Sequence, residues 1–147
     1  MADDAEALQD DNHPRHLPPL VGHEKAVRLM AGAIASGRMH HAWLFCGPRG
    51  IGKATLAYRL AAHLLSGGKG EGGRLDVDPG SSAARWMASH SHPDLFVLER
   101  AYDRKARKLK SEISVGEARE LLQFFSLTAG ASRWRIAIIY TADELNQ

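Results

Sequence analysis

A glycine-rich segment that contains one lysine is the part of the sequence best suited to phosphate chemistry. The phosphate-binding loop G-x-x-x-x-G-K-[ST] turns backbone N–H groups toward phosphate oxygens at the start of a helix, and its lysine meets the β/γ charge. Gly47, Gly52 and Lys53 occupy the matching positions. The pattern predicts a phosphate- or nucleotide-binding site made of Gly47, Pro48, Arg49, Gly50, Ile51, Gly52, Lys53, Ala54 and Thr55.

The last position of this motif departs from the pattern. Ala54 stands where a hydroxyl should hold Mg²⁺, and Thr55 is displaced by about 100° around the helix. We therefore expect ATP to bind weakly, if it binds, with impaired Mg²⁺ binding. The alternative interpretation is a glycine-rich turn between strand and helix with a solvated lysine.

A P-loop ATPase also needs an acidic pair after the apolar residues of a neighbouring strand, to hold Mg²⁺ and to activate water. Tyr140 and Thr141 occupy those positions. Asp143 and Glu144 come later, and Thr141-x-x-Glu144 has the spacing of a helix capping box. The sequence predicts no catalytic residue, and hydrolysis at background level.

Alternating helix-type and strand-type patterns surround the glycine-rich segment. Apolar periodicity predicts helices over 24–36, 53–65 and 83–89, and a further helix after Ser114. The buried stripe expected for that last helix consists of Val115, Ala118, Leu121, Leu122 and Phe125. Short apolar runs predict strands over 42–46, 95–98 and 136–140, with a long loop over 66–80. This order predicts an α/β fold, a three-layer P-loop NTPase domain with a mainly parallel sheet.

Composition and charge agree with one soluble domain. The chain has 147 residues, 44% of them hydrophobic and 24% charged, and no apolar run approaches the length of a membrane helix. Its single cysteine, Cys46, excludes an internal disulfide. Residues 1–19 are expected to form an acidic, proline-containing disordered leader, and the remainder after residue 12 has 19 bases against 12 acids, or +7. We expect a cytoplasmic protein with no membrane contact.

Two other groups of residues have side chains that could form sites. A basic run between the second strand and the last helix could contact a DNA backbone, although a solvated loop explains it equally well; its candidates are Arg104, Lys105, Arg107 and Lys108. The eight histidines include three close pairs in separate loop-like segments, without a third ligand at regular spacing. No metal site is predicted.

Five blocks of the sequence resemble the bacterial DNA polymerase III delta prime family. They are Leu20-Val21-Gly22-His23-Glu24, His41-Ala42-Trp43-Leu44-Phe45, Gly47-Pro48-Arg49-Gly50-Ile51-Gly52-Lys53, Ser91-His92-Pro93-Asp94-Leu95 and Ala142-Asp143-Glu144-Leu145-Asn146. The resemblance implies an AAA+ clamp-loader module that works in a hetero-pentamer with delta and gamma/tau subunits to place the sliding clamp on primed DNA. Delta prime in many bacteria does not hydrolyse ATP, which agrees with Ala54, Tyr140 and Thr141.

The departures from that family also define expectations. Many relatives carry a four-cysteine zinc module after the P-loop helix, but residues 66–90 contain no cysteine, so no zinc is implied here. The family's sensor motifs, arginine-finger segment, helical lid and collar would all lie beyond Gln147. We therefore expect residues 20–147 to be a partial AAA+ P-loop domain, truncated before the lid and collar. An active P-loop ATPase of the gamma/tau type, a nucleotide kinase and a truncated remnant without independent activity remain as alternatives.

Overall fold

The computed structural model describes residues 12–99, 102–103, 108–109 and 114–140. The chain divides into two compact units, Met1–His92 and Pro93–Gln147. The first contains a 3₁₀ helix at Pro14–His16, helix α1 (Glu24–Ala35), helix α2 (Lys53–Leu65), a 3₁₀ turn at Glu71–Gly73 and helix α3 (Ser82–Ala88). The second contains strands β1 (Leu95–Leu98), β2 (Tyr102–Asp103) and β3 (Lys108–Leu109), helix α4 (Val115–Ser126) and strand β4 (Ile136–Ile139).

Helix α2 carries most of the core of the first unit. Its leucines Leu56, Leu60 and Leu64 recur every four residues and are buried, as the periodicity predicts. Met30 of α1 and Met87 of α3 are also buried. Removing such a side chain from water contributes roughly 1.5–3 kcal/mol to folding. The predictions for the first three helices are therefore confirmed to within one residue at each end.

The strand predicted over residues 42–46 is not formed. This segment has no strand assignment, and Leu44 is 80% exposed. An isolated strand leaves its N–H and C=O groups without partners, so it needs a neighbouring strand to become stable. Among the described residues, no strand pairs with this segment.

The second unit confirms the α/β class and the parallel pairing. Strands β1 and β4 pair in parallel, with Leu95 opposite Ile136 and Leu98 opposite Ile139. Strands β2 and β3 form a short antiparallel pair within the predicted polar connection, with Tyr102 opposite Leu109.

Helix α4 begins with the predicted capping box. The Ser114 hydroxyl accepts from the Glu117 N–H, and the Glu117 carboxylate accepts from the Ser114 N–H at 2.7 Å. The predicted buried stripe is wrong, because Val115, Leu122 and Phe125 are 51%, 71% and 50% exposed, and no residue of α4 is buried. The helix instead packs on β1 through Phe124, whose ring lies 5.5 Å from that of Phe96. A two-stranded sheet is narrow, so it covers only a thin strip of the helix.

The loop predicted over residues 66–80 has six glycines, but hydrogen bonds and close packing hold part of it against the helices. His63 is buried, its Nδ1 lies 2.7 Å from the Asp76 carbonyl oxygen, and its Nε2 accepts from the Gly70 N–H at 2.9 Å. Because a carbonyl only accepts, Nδ1 carries the proton and the imidazole is neutral. A Cβ on Gly70 would collide with the Ala31 carbonyl of α1, so only glycine allows this approach.

Residues 12–19 of the predicted leader are also held in place. Arg15 is buried and donates to the Nε2 atoms of His16 at 3.1 Å and His90 at 2.8 Å. Arg59 of α2 donates to the carbonyls of Leu17 and Pro18. Residues 1–11 lie outside the described residues, and the division of the chain at residue 20 stays a prediction.

Candidate phosphate-binding site

The predicted phosphate loop leads directly into helix α2. Gly52 is the N-cap of the helix and has a φ of 97°, and Gly50 has a φ of 82°, both in the region that glycine adopts most readily. The Leu56 N–H donates to the Gly52 carbonyl at 3.0 Å and closes the first helical turn. The glycines at these two positions therefore permit the turn that aims the helix start at the loop.

The N-terminus of α2 lacks a side-chain cap. Gly52 has no side chain, and no side-chain hydrogen bond caps the helix among the described residues. The N–H groups of the first turn have no partner within a helix, and they concentrate partial positive charge there. Such a terminus attracts a phosphate or another anion.

Lys53 is folded back onto its own loop. Its Nζ donates to the Gly47 carbonyl at 2.7 Å and to the Pro48 carbonyl at 2.8 Å. These two bonds tie the ammonium to the first two residues of the loop. An anion at the helix N-terminus would meet this ammonium directly.

Ala54 and Thr55 follow Lys53 within the first turn of α2, and both are half-buried. Ala54 supplies no oxygen, so the usual hydroxyl ligand for Mg²⁺ is missing from that position. Arg49 is exposed in the loop and adds a second cation. The arrangement offers two cations and a helix N-terminus to an anion, and little to a metal ion.

One contact to the loop comes from a residue that the motif does not include. His23 lies just before α1, and its Nε2 is 2.7 Å from the carbonyl oxygen of Ile51. His23 belongs to one of the blocks that resemble the family, but the sequence does not predict this contact. The reason is that His23 and Ile51 are 28 positions apart.

The positions expected for the acidic pair are only partly described. Tyr140 directly follows β4, and its N–H donates to the Leu98 carbonyl at 2.9 Å, which extends the parallel pairing by one residue. Thr141, Asp143 and Glu144 lie outside the described residues. The assignment of Asp143 and Glu144 to a helix start stays a prediction.

The structure describes little of the predicted DNA-contact residues. Arg104, Lys105 and Arg107 lie outside the described residues, and Lys108 is the first residue of β3. In the described ranges, no group of three or more His, Cys, Asp or Glu side chains is placed to hold a metal ion. None of the helices in those ranges is both long and apolar enough to span a membrane.

Asp94 is the acidic residue with the most distinctive surroundings, and the sequence missed its role. It is 0% exposed, and its carboxylate accepts from the N–H groups of Gly130 and Ala131 at 2.7 Å and of Ser132 at 2.8 Å. Burial raises the pKa of this carboxyl, but the three N–H bonds and the Ser132 hydroxyl outweigh burial, so the pKa lies below its ordinary value. Asp94 therefore fixes the loop before β4.

Neither Asp94 nor His63 or Arg15 carries a signal that local patterns detect. The side chain of each bonds to a residue at least 7 positions away, and the side chain of Arg15 bonds to the adjacent His16 as well. An acid that follows a proline, or an arginine between histidines, is compatible with an ordinary solvated loop. The block Ser91-His92-Pro93-Asp94-Leu95, which carries part of the family resemblance, is the local feature that draws attention to Asp94.

Comparison with known proteins places these features in a family context. Residues 22–147 match the sequence model of a family described as DNA polymerase III, delta subunit. A DNA polymerase III subunit delta' of Pseudomonas aeruginosa is 32% identical over 106 residues, which cover 72% of this chain and 30% of that protein. A gamma subunit of Buchnera aphidicola and a tau subunit of Escherichia coli are each 41% identical over 51 residues, or 35% of this chain and 14% and 8% of those proteins. The chain thus spans less than a third of the length of any of these three relatives.

Proposed function

Because this chain belongs to the DNA polymerase III delta subunit family, whose members are of the AAA+ clamp-loader type, we propose that it serves as a delta prime-like subunit that does not hydrolyse ATP. Its place in DNA replication follows from the family. The specific role of delta prime goes beyond what membership of the family establishes. The expected cytoplasmic location is part of the same proposal.

The observation that carries the delta prime role is the extent of the similarity. The delta prime relative aligns with 72% of the chain, whereas the gamma and tau relatives align with 35%. The residues at the site agree, because Ala54, Tyr140 and Thr141 replace the hydroxyl and the acidic pair that an ATPase uses. Loss of a general base alone costs about 10²–10⁴ in rate.

The proposed partners are delta and gamma/tau subunits in a hetero-pentamer, and through that complex the sliding clamp and primed DNA. The proposal includes direct DNA contact by Arg104, Lys105, Arg107 and Lys108, which rests on the charge of these residues. Within the complex the subunit would supply a fixed surface rather than chemistry.

Nucleotide binding at the loop would be weak and nearly independent of Mg²⁺. The Lys53 ammonium and the N-terminus of α2 attract polyphosphate, but the ammonium must first leave the carbonyls of Gly47 and Pro48. Ala54 offers no ligand to the metal ion. No zinc is part of the proposal.

A second candidate is an active ATPase of the gamma/tau type. It is favoured by the higher identity, 41%, of the shorter alignments. In that case Asp143 and Glu144 would serve as the acidic pair in a shifted register, and Glu144→Gln would abolish turnover.

Reconstitution separates the two candidates. The chain is mixed with purified delta and gamma/tau subunits, and assembly and clamp loading are measured for the unmodified chain, Lys53→Ala and Glu144→Gln. A delta prime-like subunit assembles, and both variants load the clamp at the unmodified rate. Steady ATP turnover by the chain alone that Glu144→Gln removes would establish the second candidate, and failure to assemble would refute the first.

Titration of a fluorescent ATP analogue with and without Mg²⁺ tests the nucleotide site by itself. We expect weak binding that changes little with Mg²⁺ and that Lys53→Ala abolishes. Tight binding that requires Mg²⁺ would contradict this part of the proposal, whatever the outcome of the assembly experiment.

A further inference from the structure

We propose that His23 is a positioning residue of the phosphate loop, and that its imidazole makes polyphosphate binding stronger as the pH falls. The inference rests on the proposed function of the loop as an anion site. It adds a residue from outside the loop and a dependence on protons that the loop motif itself does not contain.

The imidazole of His23 serves the loop and not its own helix. His23 is the N-cap of α1, with a φ of 63°, but its side chain makes no capping hydrogen bond to that helix. Its Nε2 instead lies 2.7 Å from the Ile51 carbonyl oxygen. Because a carbonyl oxygen only accepts, Nε2 must carry a hydrogen, and it does so in the charged imidazole as well as in this neutral tautomer. The contact therefore survives protonation.

The ring also lies against the residue that precedes the lysine. A Cβ built on Gly52 would lie 3.3 Å from the His23 Nε2, so the ring closes the space beside the N-cap of α2. Ile51 and Gly52 come immediately before Lys53 in the chain. By holding the Ile51 carbonyl, His23 fixes the peptide that leads into the first N–H groups of α2.

Protonation of His23 would add positive charge beside an already cationic loop. The charged groups of the loop are Arg49 and Lys53, and residues 47–55 contain no acid. On the side of α1 the neighbouring charged residues are Glu24 and Lys25, which offset each other. Histidine changes charge between about pH 5 and 8, within the range where binding can be measured. An anion in the loop favours the charged imidazole, and by linkage the charged imidazole favours the anion.

Two substitutions separate the hydrogen bond from the charge. His23→Gln keeps an N–H donor but cannot become charged, whereas His23→Ala loses both. His41→Gln, at an exposed histidine, is the matched control. Inorganic tripolyphosphate and a fluorescent ATP analogue are titrated into each full chain at pH 8 and pH 6, in about 50 mM salt so that screening stays moderate. Thermal melting at both pH values checks that each variant is folded.

Between pH 8 and pH 6, the affinity of the unmodified chain and of His41→Gln should rise about threefold to tenfold more than that of His23→Gln. A change of this size is the effect of one nearby charge in a partly exposed site. Comparison at equal pH cancels the titration of the ligand itself. His23→Gln should bind as the unmodified chain does at pH 8, and His23→Ala should bind several-fold more weakly at both values.

An equal pH dependence in His23→Gln and the unmodified chain would overturn the role of His23 while leaving the anion site intact. No binding by the unmodified chain at either pH would overturn both the anion site and this inference. If His23→Ala fails to fold, His23→Gln decides the question alone.

Discussion

At the residue scale, the fully buried Asp94 carboxylate accepts hydrogen bonds from three backbone N–H groups. We expect Asp94→Asn to lower the free energy of unfolding by about 1–3 kcal/mol, because three backbone N–H groups would lose a charged acceptor and one would face an amide donor. Urea unfolding followed by circular dichroism gives the measurement. Asp78→Asn is the control, since the exposed Asp78 carboxylate accepts from the Gly80 N–H and its replacement should change stability by no more than about 0.5 kcal/mol. Equal effects of the two substitutions would show that burial of Asp94 does not matter.

The same carboxylate should make the protein sensitive to acid. Its pKa is lowered in the folded chain, where burial raises it but the N–H bonds lower it more, so the unfolded chain takes up the proton first. The contribution to stability is complete above the unfolded carboxyl's ordinary value of about 3.9 and is lost as the pH falls through the folded value. The urea midpoints of the unmodified chain and Asp94→Asn should therefore converge between pH 5 and the acid limit of folding. A gap that stays constant over that range would contradict the cause assigned here.

At the element scale, the segment after α2 depends on a glycine. Gly70→Ala should lower the free energy of unfolding by at least about 1 kcal/mol, because the backbone has a φ of 70° there and the new methyl would overlap the Ala31 carbonyl. Gly67→Ala is the control, since Gly67 has a similar φ of 82° but nothing within 4 Å of its Cβ position. The difference between the two free energies isolates the collision from the backbone strain. No difference would mean that α1 and this segment adjust freely.

How far each element could be predicted depended on where its stabilising contacts lie in the sequence. Helix α2 was predicted to the residue because Gly52, the leucine repeat and the glycines after Leu65 are all local signals. The strand at 42–46 failed because an apolar run indicates burial, while pairing depends on a partner elsewhere in the chain. Within α4 the capping box was correct, but the buried side was not, because the position of Phe96 selects Phe124 over its neighbour Phe125. The spacing of Gly47, Gly52 and Lys53 predicts the phosphate loop, and its binding of an anion stays a prediction. The His23 contact to this loop could not be predicted, because the two residues that it joins are far apart in the sequence.

At the scale of the whole molecule, several large apolar side chains remain in contact with water. Leu122 and Phe125 of α4 are the clearest pair on one helix. We expect the double substitution Leu122→Gln and Phe125→Gln to reduce both self-association and the fluorescence of an apolar dye, with little change in the free energy of unfolding. Analytical ultracentrifugation and dye titration measure the first two. Leu121→Gln, at a half-buried position of the same helix, is the control and should instead destabilise the fold. Unchanged self-association in the double variant would show that Leu122 and Phe125 do not mediate the association.

If the loop binds anions as proposed, the bonds of Lys53 to Gly47 and Pro48 would make it selective among them. Any anion that draws the ammonium away must replace two carbonyl acceptors that are already in place. Chloride offers a single diffuse acceptor and acetate offers one small carboxylate. We expect neither to compensate for the loss of the two carbonyl hydrogen bonds. A polyphosphate presents several charged oxygens at once, to the lysine and to the helix N-terminus together. In the proposed site, chloride and acetate would therefore displace the lysine less readily than a chain of phosphates would.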